Sequence, residues 1–232
     1  MVGSCMDDAS NYEMWFTRPY SERLLQEITK KIQQVDYGNL QGRFLQIGNC
    51  GINPWLEHLN FSSKWLVNRF YGQRIDAISL ETQLPLPNNC IDVIFAPFLC
   101  DQGVQPELLV HELDRVLASM GLVILLGLNP TSLWRLSRFF SLSKKQWYQS
   151  KHQVSAWKLE RLFANMNFTM VGMDFFYYIP PFKNIQLIRY FDAVNTLSKV
   201  IAFYPPSFYF LVMQKREESF TGLLTVEKNT WC

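Results

Sequence analysis

The chain is short of histidine, of paired cysteine and of clustered charge, and each shortage removes a class of function. Three histidines, His58, His111 and His152, occur in 232 residues. None is spaced with a second ligand as a zinc site requires, so no metal is expected. The five cysteines, Cys5, Cys50, Cys90, Cys100 and Cys232, are scattered and form no C-x-x-C pair. An odd, dispersed set suits a reducing compartment better than a disulfide framework. The net charge is +2 and no basic block occurs, which argues against a nucleic-acid binder. No basic-then-apolar leader opens the chain, and no apolar run approaches the roughly 20 residues that span a bilayer. The expectation is a cytoplasmic protein with no transmembrane segment.

What the chain does have is the material for a core. Apolar residues make up 48% and aromatics 15%, a composition of globular rather than disordered chains. The length suffices for one sizeable domain. The expected organisation is an N-terminal tail over 1–19, anchored by Trp15-Phe16, a single domain over 20–216 and a polar tail over 217–232.

Periodicity orders that domain. Leu24, Leu25, Ile28 and Ile32 recur at three and four, which predicts a helix over 21–35. An apolar strand over 43–47 reaches Gly48 and a turn, with a short helix over 54–59. Strands are expected at 64–70 and 75–80, with too few residues between them for an ordinary crossover helix. "IDVIFAPF" (91–98) reads as a buried strand. Pro106 and Glu107 open a helix whose stripe is Leu109, Leu113, Val116, Leu117 and Met120, with Gly121 just past its end. "LVILLGL" (122–128) is apolar on both faces, as in a covered parallel sheet. Further helices are expected over 131–140, after a Ser155 cap, and over 184–202, with strands at 168–178 and 207–215. Strands alternating with helices predict an α/β fold.

Leu84-Pro85-Leu86, then Ile91-Asp92-Val93, then Arg115-Val116-Leu117 and Gly121, form a run that resembles the core of class I S-adenosylmethionine-dependent methyltransferases. The resemblance covers about residues 40–215, most closely 84–134, and extends to a bacterial subgroup of small methyltransferase-like proteins. It implies a Rossmann-like fold with a mostly parallel sheet, an antiparallel last strand and helices on both faces. It also implies S-adenosylmethionine as cofactor and methyl transfer to an acceptor that the sequence does not identify, a small molecule or a protein.

The site residues follow from the same resemblance. Gly48, Asn49, Cys50 and Gly51 stand in the cofactor loop, where the family reads roughly G-x-G-x-G. A glycine after the first strand lets the backbone turn tightly and approach a ligand. Asn68 stands near the end of the second strand, where the family usually has a carboxylate for the ribose. Glu81 lies one residue beyond Leu80, an often acidic position. Pro97 and Phe98 would pack near the cofactor. No catalytic group is named: Asp101 reads first as a loop solvator and otherwise as a substrate contact or base, His111 as surface, His152 as a loop residue that could face a substrate and act as base, and Asn129 as a residue of the ligand edge or a helix cap.

Two other readings stay open. The departures at Cys50, Asn68 and Leu80 fit a catalytically inactive relative that keeps the fold as a binding or scaffold module. A nicotinamide oxidoreductase would need a fuller glycine fingerprint and an acid about 20 residues on, where Asn68 stands. The aromatic runs 175–182 and 203–210 read as strand core, with an apolar substrate mouth or a partner surface as the sharper option.

Overall fold

The structure is a computed structural model that describes residues 12–72, 74–134, 154–179, 186 and 205–216. Residues 12–16 form a helical turn, α1. The helices α2 (Glu22–Gln33), α3 (Trp55–His58), α4 (Pro106–Val116) and α5 (Ala156–Ala164) follow. The strands are β1 (Arg43–Ile47), β2 (Ser63–Asn68), β3 (Ala77–Ile78), β4 (Ile91–Pro97), β5 (Leu117–Leu128), β6 (Phe168–Phe176) and β7 (Phe208–Lys215). They form one seven-stranded sheet in the order β3-β2-β1-β4-β5-β7-β6. β3, β2, β1, β4 and β5 run parallel, and β7 is antiparallel to both β5 and β6. The expected α/β sheet with an antiparallel last strand is the one observed.

Strand alternation places a core on each face. On one side Phe44, Val93, Phe95 and Ile124 pack with Leu24, Ile28 and Ile32 of α2. On the other, Leu45, Ile94, Ala96 and Val123 pack with Leu109 and Leu113 of α4 and Leu159 and Phe163 of α5. The Ser155 cap is present, its hydroxyl accepting from the Lys158 amide at 3.2 Å.

Two expectations need correction. The helix expected to reach Met120 ends at Val116, and Leu117–Met120 belong to β5. Leu117 is extended and pairs with Ile91, and Met120 has φ +62°. Gly121 is therefore a strand residue, not a helix end. β3 is two residues long rather than the six of 75–80. Trp15 and Phe16, the expected anchor of the N-terminal tail, are buried, and Tyr12 is buried with them. The helices expected over 135–140 and 184–202, apart from Gln186, and His152 lie outside the described residues.

The run that carries the family resemblance is a brace. Arg115 Nη1 donates to the Leu86 carbonyl at 2.8 Å and Nη2 to the Leu84 carbonyl at 3.1 Å. Glu112 accepts from Arg115 and from the Leu84 amide. Asp92 accepts from the Arg43 amide at 2.6 Å, tying the start of β1 to β4. These residues fix where β4 begins, and so where its far end delivers Pro97 and Phe98.

Candidate functional site

The winding from β1 runs outward through β2 and β3, then returns to β4 on the other side. That reversal makes the carboxyl ends of β1 and β4 the switch point of the sheet, the place where open α/β sheets bind ligands in a crevice. Gly48 leaves β1 at φ +90°, and a Cβ there would lie 2.9 Å from Leu99 Cδ2 and 3.7 Å from the Pro97 carbonyl. Glycine is called for by this left-handed backbone, while the close contact is to the movable end of the Leu99 side chain. Phe98 ends β4 at φ +56°, a costly conformation for an aromatic residue, and its ring is fully buried.

A side-chain network sets the loop's shape. Gln46 on β1 donates to the Gly48 carbonyl at 2.8 Å and to Asn53 Oδ1 at 2.7 Å, and accepts from Trp55 Nε1 at 2.7 Å. Asn53, at φ +47°, accepts from the Cys50 amide at 2.9 Å. It donates to Asn49 Oδ1 at 2.7 Å and to the Gly51 carbonyl at 3.0 Å. Asparagine tolerates this left-handed backbone because its short amide bonds locally. Asn53 thereby fixes the loop that the sparse glycines alone would leave loose.

The α1 turn lies against the loop. The Tyr12 hydroxyl is 3.1 Å from Cys50 Sγ, both buried. The Tyr12 and Phe16 rings pack on Phe98, with centroids 6.3 and 5.6 Å away. A Cβ at Gly51 would touch Thr17, Phe16 and the Glu13 carbonyl at 3.3–3.5 Å. Burial pushes the Cys50 thiol up to about 12, so it is a neutral packing group rather than a nucleophile. Burial also raises the Tyr12 phenol well above its usual range.

Glu13 reaches the end of β2. Its Oε1 accepts from Asn68 Nδ2 at 2.8 Å, and the Asn49 amide bonds the same carboxylate. Burial raises its carboxyl although both amides pull the other way. Glu81 instead accepts from Arg69 Nη2 at 2.6 Å.

Of the predicted site residues, Gly48, Pro97 and Phe98 meet at the β1–β4 crevice, and Asn49 and Asn68 converge on Glu13. Glu81 sits with Arg69. The sequence reading did not include Tyr12 or Glu13, which lie in the expected tail. It also read Asp101 first as a loop solvator, whereas Asp101 is 1% exposed. Its Oδ2 accepts from the Leu128 amide at 3.0 Å and its Oδ1 has no hydrogen-bond partner. Burial raises this carboxyl well above the usual range, against the pull of the Leu128 amide. An orphaned buried acid beside the crevice, a glycine that abuts β4 and a carboxylate between two amides together suit a polar ligand with hydroxyl groups. His111 is exposed, as expected, and Asn129 Oδ1 accepts from the Thr131 amide and hydroxyl. Among the described residues, no His, Cys, Asp and Glu group is arranged to hold a metal, and no helix is long and apolar enough to cross a membrane.

No protein-family model and no curated protein matches the chain. Solved structures do. A SAM dependent methyltransferase from Archaeoglobus fulgidus superposes with a TM-score of 0.60 at 18% identity, over 84% of this chain and 94% of that one. The geranyl diphosphate C-methyltransferase from Streptomyces coelicolor A3(2), solved with Mg2+, geranyl diphosphate and S-adenosyl-L-homocysteine, gives 0.58 at 12% identity, over 83% and 80%. The [4+2]-cyclase SpnF gives 0.56 at 15% identity, over 82% and 81%. The strand order and these superpositions agree: the chain has the Rossmann-like fold of class I S-adenosylmethionine-dependent methyltransferases.

Proposed function

We propose that this protein binds S-adenosylmethionine at the β1–β4 crevice and transfers its methyl group to a small-molecule acceptor in the cytoplasm. The observation that carries the reading is the approach of Gly48 to Pro97 and Leu99, which sets a tight backbone turn at the ligand edge of this fold. The residues that would hold the cofactor are Gly48, Asn49, Cys50 and Gly51 of the loop, Asn68 at the end of β2, Glu81 after β3, and Pro97 and Phe98 at the end of β4. The cofactor supplies a methyl group already activated on a sulfonium. The protein's own part is to position the acceptor in line with that methyl and to keep water out. Asp101, whose Oδ1 has no hydrogen-bond partner, leaves a polar atom open close to the end of β4.

The test is thermal unfolding with S-adenosylmethionine, S-adenosylhomocysteine or NAD. A ligand at 100 times its Kd adds about 2.7 kcal/mol, which at this chain length raises Tm by roughly 5–10 °C. A rise with both sulfur ligands and none with NAD is expected. A rise with NAD alone would favour an oxidoreductase. No rise at millimolar ligand would favour the binding or scaffold module.

A further inference from the structure

We propose that Glu13 is the carboxylate that receives the ribose hydroxyls of the bound nucleoside, so that the α1 turn, outside the sheet, is part of the binding site. The inference rests on the methyl-transfer reading above and adds a residue to it. A vicinal diol presents two O–H donors and is bound best by an acceptor-only group. At the carboxyl end of β2 the strand itself offers only Asn68. Both hydrogens of its Nδ2 are used, one on Glu13 Oε1 at 2.8 Å and one on the Phe70 carbonyl at 3.0 Å. Asn68 is therefore a positioning residue: it aims Glu13.

The carboxylate is suited to the task. It has about four lone-pair sites, and its two amide partners, Asn49 and Asn68, occupy two of them. Asn49 is itself fixed by Asn53 through its Oδ1. A Cβ at residue 72 would lie 3.7 Å from Glu13 Oε2 and 3.6 Å from Asn49 Nδ2. The same Cβ would meet Ile75 Cδ1 at 2.8 Å, so a side chain there would crowd Ile75 before it crowded the carboxylate. Half-burying a carboxylate whose partners are amides rather than a cation costs stability, a cost that a purely structural residue could avoid as glutamine. Tyr12 and Phe16, on either side of Glu13 in sequence, hold the turn to Phe98 and so set where the carboxylate stands.

The experiment is calorimetric titration of the full chain with S-adenosylhomocysteine and with its 2′,3′-dideoxy analogue, for the parent, Glu13→Gln and Glu13→Ala. Glu13→Gln keeps the side-chain shape and an acceptor for Asn68, so it preserves the fold if Glu13→Ala does not. The parent should prefer the hydroxylated ligand, and Glu13→Ala should weaken its binding about 10- to 100-fold, the range of a lost charged hydrogen bond. The preference over the dideoxy ligand should shrink in Glu13→Gln and vanish in Glu13→Ala. An unchanged preference in both variants would overturn the assignment while leaving methyl transfer standing. Tighter binding by both variants would overturn it too, showing that the turn competes with the ligand. A parent that binds neither ligand would overturn the methyl-transfer reading and this one together.

Discussion

Replacing Arg115 by alanine removes the centre of the brace that starts β4. The guanidinium makes five hydrogen bonds: two to Glu112, one each to the Leu84 and Leu86 carbonyls, and one to Asn88. The Leu86 carbonyl and Asn88 can turn to water. Glu112 and Leu84 are buried, so the carboxylate would lose its cation where solvent reaches it poorly. Breaking a buried ion pair costs about 3–5 kcal/mol. The Arg115 side chain is 34% exposed, and solvent screening lowers the expectation to about 2–4 kcal/mol. At this chain length that is a Tm drop of roughly 5–15 °C. Urea unfolding followed by circular dichroism, for Arg115→Ala, Glu112→Gln and the double variant, gives the coupling directly, expected at about 1–3 kcal/mol.

The same pair should also respond to pH. Burial raises the Glu112 carboxyl, but Arg115 and the Leu84 amide outweigh burial and hold it below the usual range. The stability it contributes is present above the unfolded pKa and is lost as pH falls through the lower folded value. The gap between parent and Arg115→Ala should therefore narrow in acid. Additive single variants with a loss under about 0.5 kcal/mol would refute the brace.

Asn53→Ala should cost about 2–3 kcal/mol in urea unfolding, because the Cys50 amide and Gln46 Nε2 lose a buried acceptor. Asp101→Asn should stabilise the protein at pH 8 relative to the parent and much less at pH 4. A carboxyl raised by burial binds its proton in the folded state, so the parent loses stability as pH rises from the unfolded pKa to the raised folded one. Thermal melts across that range would show a steeper decline for the parent than for the variant.

The sheet was legible where apolar runs stop cleanly. β1 falls on the expected residues because Gly48 ends its run, and β4 starts as expected after the polar turn at Asn88-Asn89 and ends one residue early, at Pro97. The end of α4 was not legible. Leu117 and Met120 continue the helical stripe, and only pairing of Leu117 with Ile91 across the sheet pulls the chain out of the helix. The loop after β1 could be placed for the same reason as β1, whereas the ends expected for β2 and β3, at 70 and 80, fall at Asn68 and Ile78. The Tyr12 and Glu13 contacts could not be placed, since their partners lie 38 and 55 residues away and the segment is too short to show a period. Asp101 was misread because its neighbours Gln102 and Gly103 are exposed loop residues, while its own carboxyl reaches back to the amide of Leu128.

The short crossover from β2 to β3 has a consequence for how molecules of this protein meet one another. β3 is an edge strand only two residues long, and beside it the edge of β2 would offer a free amide and carbonyl at Leu66. Asp76 takes both: its carboxylate accepts from the Leu66 amide at 2.7 Å and its own amide donates to the Leu66 carbonyl at 2.9 Å. A strand from another copy would find a stub and, next to it, a charged side chain already seated in the ladder. That side chain guards the parallel edge of the sheet against edge-to-edge aggregation.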